Sequence, residues 1–115
     1  MITPLRDRHC TRIEKGCAPL TDAVVRARLE QLHGDWAYDA DTVTIRREFR
    51  FRNFHETMAF VNALAWIAHS EDHHPDLDVG YNRCGVRYST HAAGGLTDND
   101  FICAAKIDAL LTGAD

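Results

Sequence analysis

The chain has 115 residues, 45% hydrophobic and 26% charged, the balance of one ordinary globular domain. That excludes a disordered chain, a coiled coil and a collagen-like repeat, and the 13 basic against 17 acidic residues (formal charge −4) give no basic footprint for nucleic acid. No apolar run approaches the ~18 residues a membrane span needs, and Met1 to Arg8 lacks the apolar stretch of a secretory signal, so a cytoplasmic protein is expected.

Residues 1–20 show no period and are expected to form an irregular arm, with a single domain over 21–115. Thr21 offers an N-cap, Asp22 suits the positive end of a helix, and Val25, Leu29 and Leu32 recur at helical spacing until Gly34. Trp36–Tyr38, Asp39–Asp41 and Thr42–Phe51 read as strand, turn, strand. Val43, Ile45, Phe49 and Phe51 face one way and Thr44, Arg46, Glu48 and Arg50 the other, while Arg47 interrupts the inward face, as expected near an end of the sheet. One covered and one wet face is the pattern of an antiparallel sheet.

Asn53 caps the next helix, which must stop before Pro75. Its apolar residues form two adjacent stripes, Phe54, Met58, Val61, Ala65 and Ala68, then Phe60, Leu64 and Ile67. Together they cover more circumference than one sheet needs, so part of this helix is expected to bury against a second surface, such as another subunit. Leu77, Val79 and Tyr81 alternate with polar residues, Asn82–Gly85 reads as a turn, and Val86 and Tyr88 alternate again, a second hairpin. Thr97 caps a last helix, with Leu96 and Phe101 spaced as a hydrophobic staple and Cys103, Ile107 and Leu110 on its apolar face. The order helix, hairpin, helix, hairpin, helix predicts an α+β domain, a four-stranded antiparallel sheet with helices on one face.

The four cysteines are expected to stay reduced, Cys84 and Cys103 as small core residues. His9, Cys10 and Cys17 lack the close pairing of a zinc site, and no metal is expected. The seven histidines are unevenly spread, with His69, His73 and His74 within six residues. A helix continued to His73 would put Asn62, Trp66, His69 and His73 on one face. Its negative end would favour protonated imidazole at His73 and His74. The second hairpin returns its chain beside Pro75, so His91 is expected near both. Convergent imidazoles suit general acid–base work, because histidine gives and takes protons near neutral pH, or else metal binding.

Glu71-Asp72-His73-His74-Pro75-Asp76, Tyr81-Asn82, Ser89-Thr90-His91 and Gly95-Leu96-Thr97 ahead of Asp100 together resemble the signature of the pterin-4a-carbinolamine dehydratase family. Gly34-Asp35-Trp36, Phe51-Arg52-Asn53-Phe54 and Ala59-Phe60-Val61-Asn62 extend the resemblance over residues 21–111. It implies the same α+β fold, assembled into dimers or tetramers. It also implies the dehydration of 4a-hydroxytetrahydropterin to quinonoid dihydropterin without metal or cofactor, on substrate supplied by an aromatic amino-acid hydroxylase. It puts the active-site histidines at His73, His74 and His91 and further substrate contacts at His69, Asp72, Pro75, Ser89 and Thr90. His69 stands where the family has an acidic residue, Leu77 where an aromatic is common, and Asn99 where a basic residue is common. The expected division has His73 and His91 as the acid–base pair and His74 holding the pterin. The alternative is a non-enzymatic dimerisation or coactivator module on the same fold, as some animal relatives provide.

Overall fold

The computed structural model describes residues 3–112. Three α-helices and four strands follow the expected order: α1 (Asp22–Leu29), β1 (Ala37–Asp39), β2 (Thr44–Arg50), α2 (Phe54–Glu71), β3 (Asp76–Val79), β4 (Arg83–Tyr88) and α3 (Asp98–Thr112). The strands form one antiparallel sheet in the order β1-β2-β4-β3, so the two hairpins join through β2 and β4. The expected α+β architecture is the observed one.

Local chemistry sets the helix starts. Thr21 accepts from Val24 N–H and Asn53 from Glu56 N–H, each satisfying a donor that a first turn leaves open. At α3 the cap runs the other way, with Asp100 Oδ2 accepting the Thr97 N–H at 2.9 Å. Leu96 and Phe101 are both fully buried, consistent with the staple.

The boundaries differ in three places. α1 ends at Leu29 rather than near Gly34, because Gln31 and Leu32 tighten into i→i−3 turns and His33 N–H is drawn to the Asp108 carboxylate. β2 begins at Thr44, since Val43 takes a left-handed conformation (φ 52°) in the turn and cannot extend the strand. The second hairpin turns at Gly80–Asn82, closed by Gly80 N–H to Arg83 O at 2.9 Å, and Arg83–Gly85 belong to β4.

Ile45, Phe49, Cys84, Val86 and Tyr88 on the sheet meet Phe60 and Leu64 of α2 and Phe101, Ile102, Cys103 and Ile107 of α3. Phe60 sits between Phe49 and Phe51, with ring centroids at 4.6 and 5.1 Å. Arg47 lies mid-strand opposite Val86 and faces inward, not at an end of the sheet. Its guanidinium covers the Phe49 ring at 4.2 Å and meets Asp108 of α3 at 2.7 Å, while Trp36 Nε1 donates to the same carboxylate. An ion pair so enclosed adds little net stability, but removing one partner typically costs ~3–5 kcal/mol.

The N-terminal segment is irregular apart from a 3₁₀ turn at Leu5–Asp7, yet it is packed, with Leu5 4% exposed in the core beside α3. Gly16 N–H bonds to Ala92 O and Leu20 N–H to Leu96 O, which ties it across the end of the sheet. The β3 edge is the opposite case. Leu77 and Val79 pair with Val86 and Cys84, yet both remain exposed.

Candidate active site

α2 ends in a Schellman turn one residue after Glu71. Asp72 adopts the left-handed conformation (φ 52°, ψ 43°), its N–H bonds to His69 O, and His73 N–H reaches back to Ala68 O at 3.1 Å. Pro75 disfavours helical geometry at His74, so the chain must leave the helix here, and an aspartate tolerates the left-handed region better than most residues. The reversal carries His73 off the helix face expected to hold it with Asn62, Trp66 and His69. Its imidazole turns inward, 14% exposed, and stacks on Tyr88 at 5.4 Å. Trp66 and His69 stay outside, stacked on each other.

His73 Nε2 meets Asp100 Oδ1 at 2.6 Å. The Asp100 carboxylate is fully buried, and its other oxygen accepts from Thr97 N–H and from Thr90 Oγ1 at 2.8 Å. Thr97 Oγ1 and Thr90 Oγ1 are themselves 2.7 Å apart. A carboxylate only accepts, so the hydrogen sits on His73 Nε2 and Nδ1 is the nitrogen left for other partners. Burial works against a charged His73, but the hydrogen bond to Asp100 and that group's negative charge outweigh it and hold the pKa above 6.5.

β4 ends at Tyr88, and a bridge between Thr90 and Gly95 pinches the following loop so that His91 opens a 3₁₀ turn at its tip. His73, His74 and His91 thereby line one cavity of about 830 Å³, joined by Asp72, Ser89 and Thr90. His69 and Pro75 are not on its lining. The Ser89 hydroxyl is spent on Val43 O at 2.9 Å and that of Thr90 on Asp100.

A further wall comes from Cys10, Thr11, Arg12 and Ile13 of the N-terminal segment, residues that no motif in the sequence marks as part of a site. Asn99 clamps it, accepting Thr11 N–H at 3.0 Å and donating to Thr11 O at 2.7 Å. Glu71 accepts Cys10 N–H at 2.7 Å and pairs with His9. Burial raises the Glu71 carboxyl, but Cys10 N–H, His9 and Lys106 outweigh it and leave it below its usual range. Asn99, in place of the basic residue common in the resembling family, is thus an anchor for backbone, and the arm it holds carries Arg12 to the cavity. Among the described residues no three His, Cys, Asp or Glu side chains form a metal-holding group. Cys10 turns to Cys103, His9 to Glu71 and Cys17 to Ala18 O.

Residues 18–110 match the family model described as pterin 4 alpha carbinolamine dehydratase. The chain belongs to this family. Among curated members, a Legionella pneumophila protein named "Putative pterin-4-alpha-carbinolamine dehydratase" is 54% identical over 111 residues, spanning 96% of this chain and 98% of its own. A Nitrosospira multiformis protein of the same name is 54% identical over 109 residues, 95% and 94% of the two chains. The solved structure of a transcriptional coactivator/pterin dehydratase from Brucella melitensis superposes with a TM-score of 0.76 at 32% identity, over 80% of this chain and 97% of the other. A pterin dehydratase-like RuBisCO assembly factor, 23% identical with a TM-score of 0.59 over 68% and 90% of the chains, shares the fold. Among the described residues no helix is long and apolar enough to cross a membrane.

Proposed function

We propose that the chain is a cytoplasmic dehydratase of 4a-hydroxytetrahydropterin, returning the quinonoid dihydropterin and water and so supporting tetrahydropterin recycling for an aromatic amino-acid hydroxylase. The observation that carries this reading is His73, His74 and His91 on one cavity, with His73 fixed by the buried Asp100. Losing the 4a hydroxyl requires an acid at that oxygen and a base at N5–H. Protonated His73 gives its proton to the leaving oxygen, the C4a–O bond breaks, and water departs. The N5 lone pair forms the C4a=N5 bond, and His91 takes the N5 proton. The two imidazoles then exchange protons with solvent to restore the starting state.

His73 is the acid because Asp100 keeps it charged in a site that would otherwise strip its proton. His91, exposed at the loop tip, is the base, and His74 holds the pterin ring, with Asp72 beside it on the lining. Thr90 acts through Asp100, Ser89 by fixing the loop, and Pro75 by ending the helix. Each proton transfer is typically worth ~10²–10⁴ in rate, and the step asks for no metal or redox group. In a coupled assay, a hydroxylase generates the carbinolamine and its decay is followed in the ultraviolet. The wild-type chain should accelerate the decay and His73→Ala/His91→Ala should not. Full activity in that double variant ends the proposal.

The exposed apolar surface supports assembly into a homodimer or homotetramer. Phe54 and Trp66 of α2 are 47% and 69% exposed, and the β3 edge leaves Leu77 and Val79 uncovered with its backbone unpaired on one side. The same surface is what a non-enzymatic dimerisation or coactivator module would use, and the Brucella relative is described as a transcriptional coactivator as well as a pterin dehydratase. Partner binding that survives loss of all three histidines and disappears with Trp66→Glu would favour that second reading.

A further inference from the structure

Cys10 and Cys103 lie 93 residues apart in the chain, yet their sulfurs are 3.5 Å apart, one on the arm and one inside α3. The geometry points to a thiol pair that closes reversibly into an intrachain disulfide when a hydroperoxide enters the cavity, latching the arm to α3. This goes beyond the dehydration and does not depend on it.

Three features favour the closure. The first is placement: Glu71 grips Cys10 N–H and Asn99 grips both backbone groups of Thr11, so Cys10 is held in position before any bond forms. The second is access from one side only. Cys103 is fully buried, whereas Cys10 is half-buried and lines the cavity, so a small oxidant meets Cys10 first and Cys103 is the second thiol waiting behind it. The third is electrostatic. The hydrogen bond from Cys10 holds Cys103 below its ordinary pKa despite burial, with His73 and the Tyr88 hydroxyl assisting, while Cys10 is raised by that same bond and by burial. Tyr88 Oη is buried with no hydrogen-bond partner of the usual kind among the described residues, so its hydroxyl is available to a sulfur anion. The pair therefore holds one shared proton at a lower pH than two isolated buried thiols would.

The chemistry balances with the hydroperoxide as oxidant. As Cys10 passes its proton to Cys103, its sulfur attacks the peroxide, the S–O bond forms, the O–O bond breaks, and the departing alkoxide or hydroxide takes a proton from water. Cys103 then loses its proton and attacks the Cys10 sulfur, the S–S bond forms, the S–O bond breaks, and hydroxide leaves with that proton as water. Two sulfurs are oxidised by one electron each and two peroxide oxygens are reduced by one each.

The test is direct. Reduced, desalted protein is treated with stoichiometric hydrogen peroxide and examined by intact mass and by peptide mapping without reductant. The expected product is lighter by about 2 Da, joins the peptides of Cys10 and Cys103 within one chain, and reverts with dithiothreitol. Cys17→Ser/Cys84→Ser should behave alike. Cys10→Ser, a near-isosteric change at a half-buried position, should abolish the link. A gain of about 16 Da without a link, a bond from Cys10 to Cys17, or a bond between two chains would each overturn the inference.

Discussion

The carboxylate of Asp100 holds His73 with one oxygen, Oδ1 to Nε2 at 2.6 Å, and begins α3 with the other, Oδ2 to the Thr97 N–H at 2.9 Å. A single buried group thus positions both an imidazole and a helix. Its influence on His73 has a definite sign. Burial lowers the affinity of His73 for a proton, and Asp100 more than reverses this, so the acid form persists above pH 6.5.

Asp100→Asn is therefore expected to move the basic limb of the kcat/KM pH profile to lower pH, because burial then acts unopposed. At neutral pH it should cost part of the ~10²–10⁴-fold that His73→Ala loses outright. The same linkage acts on stability. A raised folded-state pKa contributes stability that is present below 6.5 and is lost as pH rises through the folded value. Denaturant titrations of wild type and Asp100→Asn should accordingly differ more at pH 6 than at pH 9, and a gap that widens with pH would show that His73 is not the group Asp100 charges.

The three histidines should separate kinetically. On the proposed mechanism, His73→Ala and His91→Ala would remove interactions used only in the transition state and should lower kcat by ~10²-fold or more. His74→Ala removes one present in ground and transition states alike and should chiefly raise KM. A large fall in kcat at unchanged KM for His74→Ala would mean the roles are exchanged within the same cavity.

Val43 is a β-branched residue at φ 52°, where an L side chain is strained by ~1–2 kcal/mol. Asparagine tolerates that region. Val43→Asn should raise the melting temperature, offset in part by the apolar area that the half-buried Val43 side chain gives up, and calorimetry measures the net change.

Trp66→Glu places a charge on the exposed face of α2, where the fold itself should lose no more than ~0.5 kcal/mol. Light scattering should show the wild-type assembly falling towards the 13.0 kDa of one chain. Wild type already at that mass across a concentration series would remove the case for self-association.

Much of this was legible where the cause is local. Thr21, Asn53 and Thr97 announced their helices because capping is a matter of three or four residues, and alternation in β2 and β4 announced the sheet. The histidine cluster was legible because His73-His74-Pro75 and Ser89-Thr90-His91 are contiguous words. The rest depends on contacts that leave no period. Arg47 read as an interruption because its partner Asp108 is 61 residues away. The turn at Asp72 was hidden because nothing in an aspartate before His-His-Pro shows that it takes the left-handed region, one residue ahead of where the proline forces the issue. Asp100 stood in the motif as a residue of the last helix, and its bond to His73 became visible only once α2 and α3 were packed. The arm read as featureless because its order comes from Asn99 and Glu71, not from itself.

That last attachment carries a consequence for synthesis. The cavity draws one wall from residues 10–13 and is anchored by Asn99 and Asp100, so the arm, though made well before α3, cannot dock until α3 has emerged from the ribosome. Nascent chains halted before α3 should hold the histidines without the carboxylate that charges one of them, and the arm should remain open to proteases. Docking of α3, docking of the arm and appearance of a competent pocket should therefore coincide in time, with no partly active intermediate before them.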